Sequence, residues 1–399
     1  MKISAVDIIS LPAQRTQAQT PVLVRVWTDE NLYGYGEAGI SIQHASLGCV
    51  EILRQFSQPL LGQDPLAHDV ISDRLQRQFW ARTGGPVLMA ALSALDTALW
   101  DIKGKYYNAP VSQLLGGRYR DQLRCYASQL QNGWENPRFL QTPADLTTLR
   151  DACLKACAQG YSCIKVDVLS RHLDGSPIPA EETAYHLSLR TLKEAEQKLT
   201  VIRDSVGPDC ELIIENHCLT RAQTAIQLAR LAKDYDPILL EEPANPLDLS
   251  DYQRIRAAVD IPLATGERSY TRRGFLPLLQ AGVLDTVQPD LGNCGGITEG
   301  RKIADLADTY SVSVQTHTCN TPISVACALQ FEAAIPNFIF HEHHTCNTLP
   351  AVRALCLYDD QPVNGYIQVP QRPGIGNELS PQALAQAQII HVGPRHEGI

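Results

Sequence analysis

The chain has 399 residues, 44% of them hydrophobic, enough to bury a large core in one big domain or two. Lys and Arg number 34 against 43 Asp and Glu, a formal net charge of −9, and no basic run or Lys/Arg-lined helix face offsets this, which excludes nucleic acid as an expected partner. No apolar stretch approaches the roughly 18 residues of a membrane span, and the opening MKISAVDIISLPAQRTQ reads as an alternating strand and a polar loop rather than a signal peptide. A cytoplasmic protein without membrane contact is therefore expected.

ISAVDIIS and VLVRVWTDENLYGYGEA alternate apolar and polar positions, with DEN as a turn between the second and third runs, predicting a small antiparallel sheet. Leu88, Leu92, Leu95, Leu99 and Ile102 then recur at 4, 3, 4, 3 spacing, which makes PVLMAALSALDTALWDIKGK an amphipathic helix and closes an α+β unit over residues 1–120. From 121 to 345 short apolar runs alternate with helical segments: LRCYAS, CIKVDV, ELIIEN, PILLEEP, IPLATGE, LDTVQPD, VSVQTH and FIFHEH. The first intervening helix, TPADLTTLRDACLKACAQG, has Thr142 as its expected N-cap, Pro143 at its first position and Gly160 beyond its end. Eight buried strands alternating with helices imply an α/β barrel of parallel strands. Residues 346–399, rich in Pro and loop residues, are expected to pack back on the first domain. The 12 cysteines include no CxxC pair and sit in apolar segments, so buried free thiols are expected, Cys153 and Cys157 among them.

Catalytic groups of such barrels come from the C-terminal ends of different strands. The ends supply Lys165, Glu215, Glu241, Glu267, Asp290, His317 and Glu342, separated after Glu215 by 26, 26, 23, 27 and 25 residues, about one βα repeat each. Glu215, Glu241 and Glu267 suit a hard divalent cation such as Mg²⁺, which would relieve the mutual repulsion of three crowded carboxylates. In EEP, side-chain alternation lets only one of Glu241 and Glu242 face the mouth, and register selects Glu241. The same alternation would put Glu215 and His217 on one side, one toward the metal and one toward substrate. Asp290 on the sixth strand can hold the far nitrogen of His317 on the seventh, setting its tautomer and raising its basicity.

Together these segments resemble the enolase superfamily in its mandelate racemase-like branch: SALDTALWDIKGK with VSQLLGG, the carboxylates Glu215, Glu241 in LLEEP and Glu267 in ATGER, QPDLGNCGGITEGRKIADLA, His317 in QTH and Glu342 in HEH. The arrangement is most similar to acid-sugar dehydratases of the galactonate and mannonate type, which place a His two residues after the first metal ligand, as His217 stands here. The resemblance implies a modified (β/α)7β TIM barrel with an N-terminal α+β capping domain, a homo-oligomer, Mg²⁺, and a small sugar acid as substrate. It also implies dehydration of an aldonate-type acid through an enediolate to a 2-keto-3-deoxy acid: His317, poised by Asp290, as base, Glu342 as hydrogen-bonding partner of the developing charge, and His217 as acid for the departing hydroxyl.

This sequence departs from the family in three places. The first ligand is Glu215 where most relatives carry Asp. The second strand reads Lys165-Val166-Asp167 where the racemases carry KxK, so the second racemase base is missing. LSRHLDGSPIPAEE lacks the Tyr that mannonate dehydratases use, and Lys165 stands where their Arg would be. Lys165, Asp167, Arg82 and His44 are the candidate substrate contacts, with Arg15 also on a polar lid segment. Epimerisation or cycloisomerisation through the same enediolate, and sugar-acid binding without turnover, are the competing readings.

Overall fold

The computed structural model describes residues 1–12, 20–39, 45–78, 84–137 and 145–394. Strands β1 (Ile3–Ser10), β2 (Val22–Thr28) and β3 (Tyr33–Ala38) form the antiparallel sheet that the alternation predicts. The helix Pro86–Tyr106, opened by Pro at its first turn, lies against this sheet with Leu92, Leu95, Leu99 and Ile102 buried. Its close approach depends on Gly34 and Gly36, where an added Cβ would stand 2.2 Å from the Ala98 carbonyl oxygen and 1.9 Å from that of Ala94.

The barrel strands are β4 (Gln122–Ser128), β5 (Cys163–Asp167), β6 (Glu211–Glu215), β7 (Pro237–Glu241), β8 (Leu263–Thr265), β9 (Thr286–Val287), β10 (Ser313–Val314) and β11 (His341–His344), all eight from the expected segments. They lie parallel in the order β10-β9-β8-β7-β6-β5-β4-β11. The two ends meet where Val314 bridges Phe338, its N–H bonded to the Asn337 carbonyl at 2.8 Å. Helices follow the first seven strands and the eighth closes the ring, a (β/α)7β barrel. Inside the barrel Tyr126, Cys163, Ile213, Leu239, Ala264 and Phe340 form an apolar layer. Two positions farther along β5, β6 and β7, Lys165, Glu215 and Glu241 are also inward, which raises a polar layer on the apolar one.

The first helix after β4 begins at Leu146, with the Asp145 carboxylate accepting from the Thr148 N–H at 2.7 Å. The cap is therefore Asp145 rather than Thr142; Thr142 and Pro143 lie outside the described residues. Gly160 stands beyond the end with φ +87°, as expected of a helix stop. Past the barrel, β12 (Tyr366–Gln368) adds to β4 antiparallel, and β13 (Gln388–Val392) pairs with β1 at the edge of the capping sheet. All twelve cysteines are unbridged. No helix among the described residues is long and apolar enough to cross a membrane.

Two features join the sheet domain to the rim of the barrel. The buried Glu37 at the end of β3 accepts hydrogen bonds from the N–H and hydroxyl groups of Thr321 and Ser324, and so caps the helix Pro322–Ala333 that follows β10. Next to it the Gly39 N–H donates to the Gly292 carbonyl at 2.7 Å, immediately beyond Asp290.

Candidate active site at the barrel mouth

Register brings Asp167, Glu215 and Glu241 side by side at the ends of β5, β6 and β7. Glu215, Glu241 and Glu267 each present an oxygen within 4.8 Å of the others. Glu241 rather than Glu242 joins this group; Glu242, fully buried, is paired with Arg268, which also reaches Glu267. The donor set fits a hard cation: all three ligands are carboxylates, and the buried Oε2 of Glu215 accepts no hydrogen bond and faces cationic or polar nitrogen, with the Lys165 ammonium 3.1 Å away. Glu215 Oε1, by contrast, accepts the N–H groups of Asn216 and His217 at 2.8 and 2.7 Å. A divalent ion such as Mg²⁺ would be held by these three residues.

Lys165, 1% exposed, stands at the base of the cluster, with Nζ 2.5 Å from Glu241 Oε1 and 3.1 Å from both Glu215 Oε2 and Glu342 Oε1. Burial opposes its charge, but Glu241 and Glu342 hold its pKa well above the ordinary lysine value. Burial and the neighbouring Glu215 push Glu241 up. Burial likewise raises Glu342, but Lys165, His317, His344 and the Ser128 hydroxyl together outweigh it and bring the group down to about 2. Glu342 is further held by the Ser128 hydroxyl at 2.6 Å and the Thr318 N–H at 2.8 Å, so both its oxygens are engaged. Lys165, expected as a substrate contact, is here ion-paired with three carboxylates.

Asp167 also differs from its expected place. Its Oδ1 accepts the Leu169 N–H at 2.8 Å and its Oδ2 lies 2.7 Å from His217 Nδ1, so this buried acid stands behind an imidazole. His217 is not set by strand alternation either. β6 ends at Glu215, and His217 and Cys218 adopt left-handed backbone conformations, φ 45° and 57°, where the Cys218 N–H bonds the Glu242 carbonyl at 3.0 Å. Burial lowers the His217 pKa, but Glu215 and then Asp167 outweigh it and carry the ring up to about 10. A dication on Glu215 would cancel the largest of the upward pulls.

His317 forms the matching pair: Nδ1 is 2.7 Å from Asp290 Oδ2, while the Gly292 N–H holds the other Asp290 oxygen at 2.7 Å. Burial opposes a charge on this ring, but Glu267, with Oε2 3.3 Å from Nε2, together with Cys319 and Asp290, raises its pKa well above the ordinary value. The two imidazoles thus border different members of the carboxylate triad, since His217 Nε2 lies 4.0 Å from Glu215 Oε2. A cleft beside His317 is lined by Glu37, Asp290, Thr318, Asn320 and Ser324, between the capping sheet and the barrel. His44, Arg82 and Arg15 lie outside the described residues. Gln129, Gln131 and Gln288 reach the cluster unannounced by any motif; Gln288 Nε2 donates to Glu241 Oε2 at 2.6 Å.

Residues 5–116 match the mandelate racemase/muconate lactonizing enzyme N-terminal domain and residues 148–383 the family described as enolase C-terminal domain-like. The chain belongs to the mandelate racemase/muconate lactonizing enzyme family of the enolase superfamily. Among its relatives is a D-galactonate dehydratase of Cronobacter sakazakii, 32% identical over 97% of this chain and 95% of its own length. A D-gluconate dehydratase of Thermoproteus tenax is 30% identical over 96% of this chain and 73% of its own. A D-galactarolactone cycloisomerase of Agrobacterium fabrum is 31% identical over 94% and 93%. A solved enolase superfamily member from Salmonella Typhimurium superposes with a TM-score of 0.93 at 37% identity, covering 98% of this chain and 99% of that one.

Proposed function

We propose that this enolase superfamily member is a hydro-lyase that dehydrates a sugar acid of the aldonate type to a 2-keto-3-deoxy acid. The observation that carries the reading is the pair of imidazoles, each braced by a buried carboxylate through Nδ1 and each turning Nε2 toward the same carboxylate triad. Loss of water needs one group to take the α-proton and another to protonate the departing hydroxyl.

Mg²⁺ bound by Glu215, Glu241 and Glu267 would supply positive charge for the substrate carboxylate and for the charge that develops on it. His317 Nε2 takes the α-proton, and Asp290 holds the resulting imidazolium. Glu342, kept in place by Ser128, Thr318 and Lys165, borders the developing enediolate. His217 delivers a proton from Nε2 to the β-hydroxyl, which leaves as water, and the enol product tautomerises to the keto acid. Lys165 keeps Glu215, Glu241 and Glu342 together.

A second reading, cycloisomerisation, is favoured by the names of two relatives, the D-galactarolactone cycloisomerase and a 3,6-anhydro-D-galactonate cycloisomerase of Zobellia galactanivorans whose structure matches with a TM-score of 0.82 at 29% identity over 96% of this chain and 99% of its own. Assay of the purified protein with Mg²⁺ against a library of aldonic and aldaric acids, scoring keto acids and solvent deuterium at the α-carbon, separates the two. Dehydration predicts a 2-keto-3-deoxy product abolished by chelator. Under the same assay His317→Asn loses α-exchange, while His217→Asn loses elimination and keeps exchange; equal loss of exchange in both variants would sink the assignment of roles.

A further inference from the structure

The helix Pro322–Ala333 that follows β10 lacks one member of its own cap. Thr321 is the N-cap, its hydroxyl oxygen accepting the Ile323 N–H at 3.3 Å. In a capping box a Glu or Gln three residues farther on reaches back to the N–H of the cap residue. This chain has Ser324 at that place, and the acid that takes the Thr321 N–H is Glu37, 284 residues earlier on the capping sheet. Glu37 Oε2 accepts the Thr321 hydroxyl at 2.6 Å, the Ser324 hydroxyl at 2.7 Å and the Ser324 N–H at 3.3 Å, and the Thr321 N–H lies 3.1 Å from both carboxylate oxygens. The box is thus closed across two domains.

The capping side of this contact is rigidly mounted. Glu37 is 3% exposed and stands opposite Leu23 in the sheet, and Gly36 before it abuts the helix Pro86–Tyr106. Two residues beyond it the Gly39 N–H reaches the Gly292 carbonyl at 2.7 Å, so close that a Cβ on Gly39 would stand 2.8 Å from the Gly292 carbonyl carbon. On the barrel side only Thr318, Cys319 and Asn320 separate the cap from His317. Within that segment the Thr318 N–H donates to Glu342 at 2.8 Å and the Asn320 carbonyl accepts from Asn347 at 3.3 Å. Gly292 in turn gives its own N–H to Asp290 at 2.7 Å. One strand end, through residues 37 and 39, therefore grips both segments that carry the His317–Asp290 pair.

We propose that Glu37 is a positioning residue for His317. By completing the helix cap from the other domain it fixes the segment Thr318–Thr321, and with it the place of the imidazole at the barrel mouth. It acts through Thr321 and Ser324 rather than at the reacting atoms. The kinetic part of this inference rests on the dehydration proposed above; the hold of Glu37 on the segment does not.

Glu37→Ala and Glu37→Gln in the full-length protein, with Mg²⁺ present, test it. An amide oxygen in place of Oε2 can accept the same four donors, so Glu37→Gln keeps the cap that Glu37→Ala loses. In hydrogen–deuterium exchange followed by mass spectrometry, peptides covering residues 318–325 should exchange roughly 5- to 30-fold faster in Glu37→Ala and at the wild-type rate in Glu37→Gln. On a sugar acid that the protein turns over, kcat for release of the α-proton should fall roughly 10- to 100-fold in Glu37→Ala, with KM within about twofold, and recover in Glu37→Gln. Mg²⁺ affinity should be unchanged in both, because the triad stands on other strands. Wild-type exchange at 318–325 in Glu37→Ala would overturn the hold on the segment. Faster exchange there with full α-proton release would make Glu37 a structural cap only and overturn the positioning role; so would a kinetic loss in Glu37→Gln while the segment exchanges as in the wild type. Should Glu37→Ala fail to fold, Ser324→Ala, which removes a donor from the barrel side, should change both quantities in the same direction to a smaller extent, and no change in either would sink the proposal. Absence of turnover on every sugar acid would count against dehydration, and the exchange rates would then decide the hold on the segment.

Discussion

Replacing Lys165 by Met removes a cation that touches three buried carboxylates while keeping nearly the same volume. Its ammonium stands 2.5 Å from Glu241 and 3.1 Å from Glu215 and Glu342. At an effective dielectric of about 20 each attraction is worth roughly 5–7 kcal/mol. Desolvation of the ammonium and of the acids returns most of that sum, and removing one partner of such a buried group typically costs about 3–5 kcal/mol. At about 2 °C per kcal/mol for a chain of this size, Lys165→Met should melt about 6–10 °C below the wild type in the presence of chelator. Lys165 also occupies oxygens of Glu215 and Glu241 that a cation would use. Saturating Mg²⁺ should therefore raise the melting temperature more in the variant than in the wild type, because the ion takes over the charge that the lysine supplied. Thermal melts by circular dichroism, with EDTA and across a Mg²⁺ titration, read both quantities. Equal Mg²⁺-induced shifts in the two proteins, or a loss below about 1 kcal/mol in chelator, would show that Lys165 does not hold Glu215, Glu241 and Glu342 together.

Acid should destabilise the protein through His343, which is buried against Tyr161, with the Tyr161 hydroxyl 2.5 Å from Nδ1, and whose pKa burial lowers from 6.5 to about 3. Between those two values the unfolded chain binds the proton and the folded chain does not, so stability present above pH 6.5 is lost as the pH falls. The loss at pH 5 should be about 2 kcal/mol; urea midpoints at pH 7 and pH 5 should converge in His343→Leu relative to wild type, and an unaltered pH dependence would exclude this cause. Gly36→Ala would drive a Cβ to 1.9 Å from the Ala94 carbonyl oxygen, within the sheet–helix contact of the capping domain. A loss of roughly 3 kcal/mol or more is expected by denaturant titration, whereas a near-neutral result would mean that the helix can lift from the sheet at little cost.

The repeat of βα units was legible in the chain because each unit announces itself locally, by an apolar run, a helical period and a stop. Periodic spacing then put Glu215, Glu241, Glu267, Asp290, His317 and Glu342 at strand ends without any knowledge of contacts. Side-chain alternation together with register was enough to select Glu241 over Glu242. His217 does lie beside Glu215, but for a reason alternation does not supply: β6 stops at Glu215 and the next turn is left-handed, which no hydrophobic pattern encodes. The N-cap failed for a related reason: both Thr142 and Asp145 are good capping residues, and the described helix uses Asp145.

The identity of the residues at the mouth, and hence the chemistry open to them, was determined by the sequence alone, through strand-end acids and imidazoles recurring once per repeat. Which of them brace their neighbours was decided only by the tertiary structure. Asp167 stands behind His217, Lys165 lies beneath three carboxylates, and Gln129 and Gln131 complete a ring around the imidazole. These partners are 50, 76 and 88 residues apart along the chain in the pairs Asp167–His217, Lys165–Glu241 and Gln129–His217. The physical reason is that a hydrogen bond forms over about 3 Å between side chains whose positions depend on the twist and stagger of whole strands, a quantity that local sequence does not carry.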